Sequence, residues 1–566
     1  MAGAYLAIDL GTTNTVVSVG AKDVYGNFIT QIVPIKQFDR NKVLIEKDSI
    51  PSVMFVDYDG LRYVGEIGKS MRDLQSLRVI SNSKRYMGLD FKWEVDDKVI
   101  RPKDVAAAVL KMCKNSADNY LFTDVKDVVI TVPASFNTDQ INDTIEAAKM
   151  AGFENIDILP EPTAALIDYI NQQAVMDVSC QSIDFSTKKR ILVFDLGGGT
   201  CDVSVIDVVK SGNKLDFQEI AVGRYDELGG VDFDFWAAEY LLNKFLEEND
   251  IDPDDISKQE LTSMVSKLAV FCEEAKEKMA SEIETRKMMG IPVNENELSF
   301  TKAIVDFYKD KAFEFKITKK EFDKATESLY YKPKNKTKIL NEQRKQKNIE
   351  EPILDTLNGY RIRPSSIDYV YLTGGMSKYP KVKERLFEIL NKPIIVSSRP
   401  MESVARGAAV YHYYSVENKR VSQTTKQNAF TVKNDVMMGM DITKVLAEAI
   451  MIDVNEGLPH TIIEANHPVP YKGRLTGKLR TTSPSGIKVD IYAGKSPYSS
   501  KLRIQKSYLA KFNVPIQTGT PIDIEYEINE NKYLTMVMIV KDGRNETRFN
   551  LNIESDVELE ERRSEL

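Results

Sequence analysis

The sequence predicts an α/β domain built of two similar lobes, followed by a smaller, all-β antiparallel domain. Residues 8 to 19, "IDLGTTNTVVSV", and residues 194 to 205, "FDLGGGTCDVSV", repeat one pattern: an apolar strand ending in Asp-Leu-Gly, a small-residue turn containing Thr, and a second strand. Around these hairpins, buried-strand patterns alternate with helical stretches, the order expected of an α/β sheet. Beyond about residue 415 the pattern changes: "IKVDIYA", "IDIEYEI" and "RFNLNI" alternate with a period of two and are bounded by turns at "NENK" and "KDGR".

At 566 residues with 42% hydrophobic content, the chain is long enough for about two to four domains or lobes. The net charge of −8 argues against nucleic acid or an anionic membrane surface as a partner, since both need a positive face. Cys113, Cys180, Cys201 and Cys272 are scattered without a Cys-x-x-Cys pair, which points away from a zinc site or disulfide framework and toward reduced thiols in a cytoplasmic protein. The N-terminus shows no signal-peptide pattern, and no segment approaches the roughly 20 apolar residues needed to span a bilayer.

The two hairpins suit phosphate. Gly11 and Gly197, Gly198 and Gly199 let the backbone turn sharply and bring its N–H groups against phosphate oxygens, and Thr12, Thr13 and Thr200 add hydroxyl donors. Asp9, Asp195 and Asp202 would repel phosphate directly, so they are expected to hold Mg²⁺ through its retained waters. There is no Walker motif, and both turns lead into strands. Two facing loops imply a nucleotide held between two lobes. "VVITVPASF" at 128 to 136 reads as a strand, followed by a helix over 138–151 that ends at Gly152. "DYVYLTGGMSKYP" at 368 to 380 reads as a strand, a glycine turn and a helix, and Gly374 and Gly375 allow a flat base to lie close to the backbone.

On "IDLGTTN", "ITVPASFN", "PEPTAAL", "FDLGGGTCDVS", "LGGVDFD", "TGGMSKYP" and "VARGAAV", the chain resembles the heat-shock-70 (DnaK-like) chaperone family, within the actin-like ATPase superfamily. The resemblance implies an actin-like two-lobed ATPase domain over 1–415, a linker over 416–441, a peptide-binding β-sandwich over 442–556 and a charged tail over 557–566. It implies ATP and ADP with Mg²⁺ as ligands, unfolded or extended polypeptide as substrate, and a J-domain protein and nucleotide exchange factor as partners. Residue by residue, "NSKRYMG" places the catalytic lysine at Lys84 and "PEPTAAL" places Glu161 beside Asp195 and Asp202 as the carboxylates that orient water and metal, with Asp9 and Asp195 nearest the ion. Asn14 closes the first phosphate motif, Glu273 and Lys276 stand at the ribose and adenine, and Gly374, Gly375 and Lys378 complete the adenosine site, with Lys378 replacing an arginine of many relatives. Ile487 and Val489 are either the lining of an apolar peptide groove or core residues of the sandwich.

Several positions depart from the family. Ile141 and Asp157 stand where relatives carry basic residues that couple the domains and meet the J-domain partner, and Met401 replaces an aspartate near the adenosine. Met437, Met438 and Gly439 alter the apolar linker, and a Lys- and Arg-rich stretch over 330–350 looks inserted, as a solvated face or a partner-docking segment. The chain stops 13 residues after Ile553, where relatives continue into a helical lid, so a lidless and specialised chaperone is expected. A filament-forming or scaffolding actin-like ATPase shares the nucleotide fold but needs no linker or β domain. A sugar or acetate kinase would need a substrate pocket for which no separate motif is present.

Overall fold

The computed structural model describes residues 5–550 apart from 24–27, 73, 175–182, 213, 226–227, 295–296, 332–347, 425–438, 454–458, 495–502, 513 and 543–544. Cys180, Met437, Met438, the core of the basic stretch and the 557–566 tail therefore lie outside the described residues.

The repeated hairpins head two sheets with one topology. In the first, the strands run Asn155–Pro160, Asp127–Val132, Tyr5–Leu10, Asn14–Lys22 and Phe28–Ile32 in spatial order; in the second, Ile394–Val396, Tyr369–Thr373, Lys189–Leu196, Cys201–Ser211 and Lys214–Tyr225. Each has two parallel pairings on one side of the hairpin and antiparallel pairings through it. The central strands are apolar on both faces because both faces are covered. In Lys189–Leu196, Ile191 and Val193 enter a core between the two sheets, while Leu192, Phe194 and Leu196 enter the outer core of the second lobe. Tyr5–Leu10 divides likewise, with Ala7 in the shared core and Leu6, Ile8 and Leu10 in the outer core of the first lobe.

Two helices, Glu161–Ala174 and Ser403–Thr424, pack together in the shared core. Gly407 of "VARGAAV" permits this: a Cβ there would lie 1.8 Å from the Ala164 carbonyl oxygen. The helix Thr138–Met150 starts where its cap sequence dictates, with Asn137 Oδ1 accepting from the Gln140 N–H at 3.0 Å and Gln140 Oε1 accepting from the Asn137 N–H at 3.1 Å. It stops at Gly152, whose φ of +102° favours glycine. Ile141, on this helix, is buried in the first-lobe core, which explains an apolar residue there.

The linker differs from its expected bounds. The helix Ser403–Thr424 runs past residue 415, because its buried face, from Val404 to Tyr413, anchors it between the sheets. Residues Gly439–Val445, expected as the end of a linker and the start of the next domain, form a strand that pairs in parallel with Lys214–Gln218 at the open edge of the second-lobe sheet. Lys214 and Asp441 form an ion pair across this edge. The two-residue strand Pro468–Val469 then pairs with Lys444 and Val445.

The C-terminal part forms two four-stranded antiparallel sheets. One orders His460–Ile463, Ala449–Asp453, Gly486–Gly494 and Arg503–Lys511; the other orders Tyr471–Arg480, Pro521–Ile528, Leu534–Asp542 and Asn545–Asn550. They enclose one apolar core. Ile487 and Val489 are 2% and 0% exposed within it, together with Ile522 and Ile524 of the opposite sheet. They are core residues, and the groove-lining role is corrected: a period of two separates the faces of a strand, but which face meets the second sheet is set by tertiary packing.

The β domain touches the first lobe through the turn at "NENK". Asn531 Oδ1 accepts from the Ile158 N–H at 3.3 Å, and Lys532, with φ of 60°, donates from Nζ to the Ala134 carbonyl at 3.2 Å. Lys444 Nζ donates to the Ile158 carbonyl at 2.6 Å, and Glu219 Oε2 accepts from the Val445 N–H at 3.1 Å. Asp157 lies at this junction, accepting from Tyr411 Oη at 3.3 Å.

Candidate nucleotide-binding site

Between the lobes lies a cavity of about 450 Å³. Its walls include the predicted residues Asp9, Gly11, Thr12, Thr13, Asn14, Lys84, Glu161, Asp195, Gly197, Gly198, Thr200, Glu273, Lys276, Gly374, Gly375 and Lys378. Gly199 and Asp202 stand behind the wall. Gly199 packs so tightly against Gly229 that a Cβ on the latter would approach it to 2.6 Å, and Asp202 is buried, accepting from Ser135 Oγ at 2.6 Å.

The duplicated topology places the two aspartates equivalently. Asp9 pairs in register with Thr131 and Asp195 with Thr373, each at the end of a central strand. The loops that follow meet across the cleft: a Cβ on Gly198 would lie 1.9 Å from Thr13 Oγ1, and one on Gly199 would lie 2.4 Å from Thr12 Cγ2. Glycine in the second loop is therefore a condition of cleft closure. Thr13 Oγ1 is buried and unpartnered in this cradle, a donor that fits a phosphate oxygen.

Lys84 belongs to a 3₁₀ turn, Ser83–Tyr86, preceded by Asn82 in the left-handed region. It is only 7% exposed, and its Nζ donates to Glu161 Oε1 at 2.5 Å. Glu161 is the first residue of its helix, where the dipole favours a carboxylate. Burial, then the charge of Glu161, push the Asp9 carboxyl up to about 7, against the opposing ammonium of Lys84 and hydrogen bond of Thr131. Burial also raises Asp195 well above the carboxylate range, helped by Glu161, Asp202 and Asp9. Several buried carboxylates thus face one ammonium, a donor set that fits a cation. Among the described residues no three His, Cys, Asp or Glu side chains converge as a direct ligand cluster.

At the other end, Lys276 Nζ donates to Asp234 Oδ2 at 2.8 Å and to the Gly230 carbonyl at 3.1 Å. Glu273 receives Lys69 at 3.4 Å and Arg72 at 3.2 Å, both from the first lobe. Burial would raise the Glu273 carboxyl, but Arg72, Lys69 and Lys276 outweigh it and hold the group below its usual range. Lys378 and Met401 also line the cavity, with Met401 Sδ beside Gly375.

Sequence reasoning missed the N-terminus of helix Gly230–Glu248, which lines the cavity with Gly230, Val231 and Asp234. The signal was the Gly-Gly pair in "LGGVDFD", where a helix start follows a glycine turn. It also missed Arg85, whose Nε donates to the Gly199 carbonyl at 2.7 Å.

The family model for Hsp70 proteins matches residues 5–565. The chain is 28% identical over 533 residues to the Chaperone protein DnaK of Thermosipho africanus, covering 93% of this chain and 76% of that one. It is also 28% identical over 532 residues to the Chaperone protein DnaK of Thermotoga maritima, with the same coverage. Matched over nearly its whole length, and carrying the two facing hairpins in the matched order, the chain belongs to the Hsp70 family.

Proposed function

We propose that the protein is an ATP-driven chaperone that hydrolyses ATP slowly between its lobes and binds extended polypeptide on its β domain. The observation that carries this is the buried Lys84–Glu161 pair set beneath two facing glycine hairpins. The N–H groups and threonine hydroxyls of the hairpins bind the phosphates, and the Lys84 ammonium meets the γ-phosphate and, with Glu161, orients the attacking water. Asp9 and Asp195 would hold Mg²⁺, which would supply neutralisation of phosphate charge. The site offers positioning and electrostatics in place of a strong general base, so turnover is slow.

Residues 1–424 make up the nucleotide domain, and the strand Gly439–Val445 is the segment through which its second lobe acts on the β domain. Extended peptide binds there chiefly through main-chain hydrogen bonds, giving broad recognition. Asp157, which reverses the basic charge relatives carry at this position, favours a dedicated J-domain partner, or none, over a generic one.

Turnover of ATP by the full chain, with and without an unfolded peptide and with Mg²⁺ chelated, tests the reading. Peptide raises the rate and chelation abolishes it. Lys84→Ala loses about 100-fold or more in kcat while still binding ATP. Parent-rate hydrolysis by Lys84→Ala removes the catalytic assignment, and a rate indifferent to peptide removes the chaperone reading.

A further inference from the structure

We propose that Arg85 is a cross-lobe positioning residue that fixes the second phosphate loop in its donating geometry. Arg85 follows Lys84 on the turn Ser83–Tyr86 of the first lobe, yet its side chain ends on the second lobe. Its Nε donates to the Gly199 carbonyl at 2.7 Å and its Nη2 to Asp232 Oδ2 at 2.8 Å, with the side chain 14% exposed. Asp232 Oδ2 also accepts from the Gly229 N–H at 2.8 Å, so the guanidinium is held by the start of helix Gly230–Glu248.

The consequence follows from peptide geometry. In a trans peptide the C=O of one residue and the N–H of the next point in opposite directions. The Gly197 carbonyl is taken by the Gly230 N–H at 2.9 Å and the Gly198 carbonyl by the Val231 N–H at 2.7 Å. With Arg85 on the third carbonyl, the N–H groups of Gly198, Gly199 and Thr200 all turn away from these anchors, toward the side on which Gly198 and Thr200 line the cavity. Two anchors come from the second lobe itself and need no contact with the first. Only the Arg85 anchor comes from the first lobe. The Gly199–Thr200 peptide is therefore pinned when the lobes close, by the same turn that delivers Lys84. Two acceptors at fixed positions match the planar fork of arginine and not the single ammonium of lysine.

This inference rests on the ATP-hydrolysis reading above, and its test keeps the two apart. Full-length Arg85→Ala, Arg85→Lys and Asp232→Asn are compared with the parent in steady-state ATP turnover, release of a fluorescent ADP, and thermal unfolding. Arg85→Ala lowers kcat by about 10- to 100-fold, less than the ~100- to 1,000-fold of a donor removed outright because the N–H groups remain and only their anchor is lost, while KM for ATP changes by no more than about threefold. Its ADP release quickens by about threefold. Arg85→Lys recovers part of kcat, and Asp232→Asn, which keeps an oxygen for the Gly229 N–H, falls between Arg85→Ala and the parent. Parent-like kcat in Arg85→Ala overturns the inference and leaves the ATPase reading standing. A fall in kcat that tracks a lost folded fraction, with no recovery in Arg85→Lys, also overturns it. No turnover in the parent would sink the ATPase reading instead; ADP release then decides, and unchanged release in Arg85→Ala overturns the pin.

Discussion

The two lobes share a strand order and place Asp9 and Asp195 at matching strand ends, yet they use the common scaffold differently. The first lobe surrounds its hairpin with reactive groups, Lys84 on a neighbouring turn and Glu161 at a helix start. The second lobe braces its glycine loop from behind with a helix N-terminus and opens its sheet edge to the strand Gly439–Val445. In the first sheet the corresponding outer strand, Phe28–Ile32, has no further partner strand among the described residues. Duplication thus gives two equivalent hairpins, and the lobes differ at the rim, where one carries the buried Lys84–Glu161 pair and the other opens its sheet edge to Gly439–Val445.

The largest expected effect breaks the coupling edge. Glu219 is buried on the second-lobe edge strand, where it accepts from Val445 and Thr163 and lies within electrostatic reach of the buried lysines Lys444 and Lys532. Removing one partner of a buried charged cluster costs about 3 kcal/mol or more. Glu219→Ala should therefore shift the docking of the β domain by about 100-fold, read as lost hydrogen-exchange protection over Gly439–Val445. Nucleotide binding in the first-lobe hairpin should stay near parental. Undiminished protection would show that strand pairing alone carries the docking. Burial lowers the pKa of both lysines below the usual lysine value. Undocking therefore takes up protons in the window between the lowered and ordinary values, and docking tightens as pH rises through that window.

A second test compares glycines. Gly198→Ala drives a methyl group to 1.9 Å from Thr13 of the other lobe, so it should prop the cleft open and weaken ATP binding by about 10- to 100-fold, within the usual range for overpacking. Gly197→Ala meets only Thr200 at 3.7 Å and should change affinity by no more than about twofold. Gly11→Ala strikes the Asn14 carbonyl at 2.1 Å inside its own hairpin, so its cost should appear as lost stability of the first lobe as well as lost affinity. Equal affinities for Gly197→Ala and Gly198→Ala, measured by titration calorimetry, would remove the claim that the loops meet across the cleft.

What the sequence makes legible follows the range of the interaction. The hairpins and the Gly152 stop are decided by residues a few positions apart, so they read directly from "IDLGTTN", "FDLGGGT" and the glycine at 152. The motif order brings most of the predicted residues to one cavity, though not the start of helix Gly230–Glu248. Long-range choices do not read out. Lys444 and Lys532 look like surface lysines until the docking of two domains buries them. Ile487 and Val489 share a face by period, but only the second sheet identifies that face as core. Arg85 is invisible because its partners, Gly199 and Asp232, lie far along the chain and across the cleft.

The smallest expected effect separates the lobes by pH. Both lobes bury raised carboxyls: Asp9 in the first and Asp234 in the second stand at about 7, and Asp195 in the second is also raised well above the usual range. For Asp234 burial is the main cause, opposed by the Lys276 ammonium and reinforced by Glu273, and its Oδ1 is buried without a partner. A carboxyl raised in the folded state binds more protons there than in the unfolded chain. Its stability contribution is therefore full below about pH 4 and is lost as pH rises through about 7. Nucleotide-free protein should then unfold at lower temperature at pH 8 than at about pH 5.5, with these aspartates contributing to the slope. Asp234→Asn cannot titrate, so it should flatten the second lobe's share of that slope, even though the buried Lys276 loses its charged partner and the absolute stability falls. The slope, and not the melting temperature at one pH, is the readout, because the Lys276 penalty is present across the range while the carboxyl titration is not. A slope unchanged in Asp234→Asn would place the pH sensitivity at the other raised carboxyls of the cleft, Asp9 and Asp195.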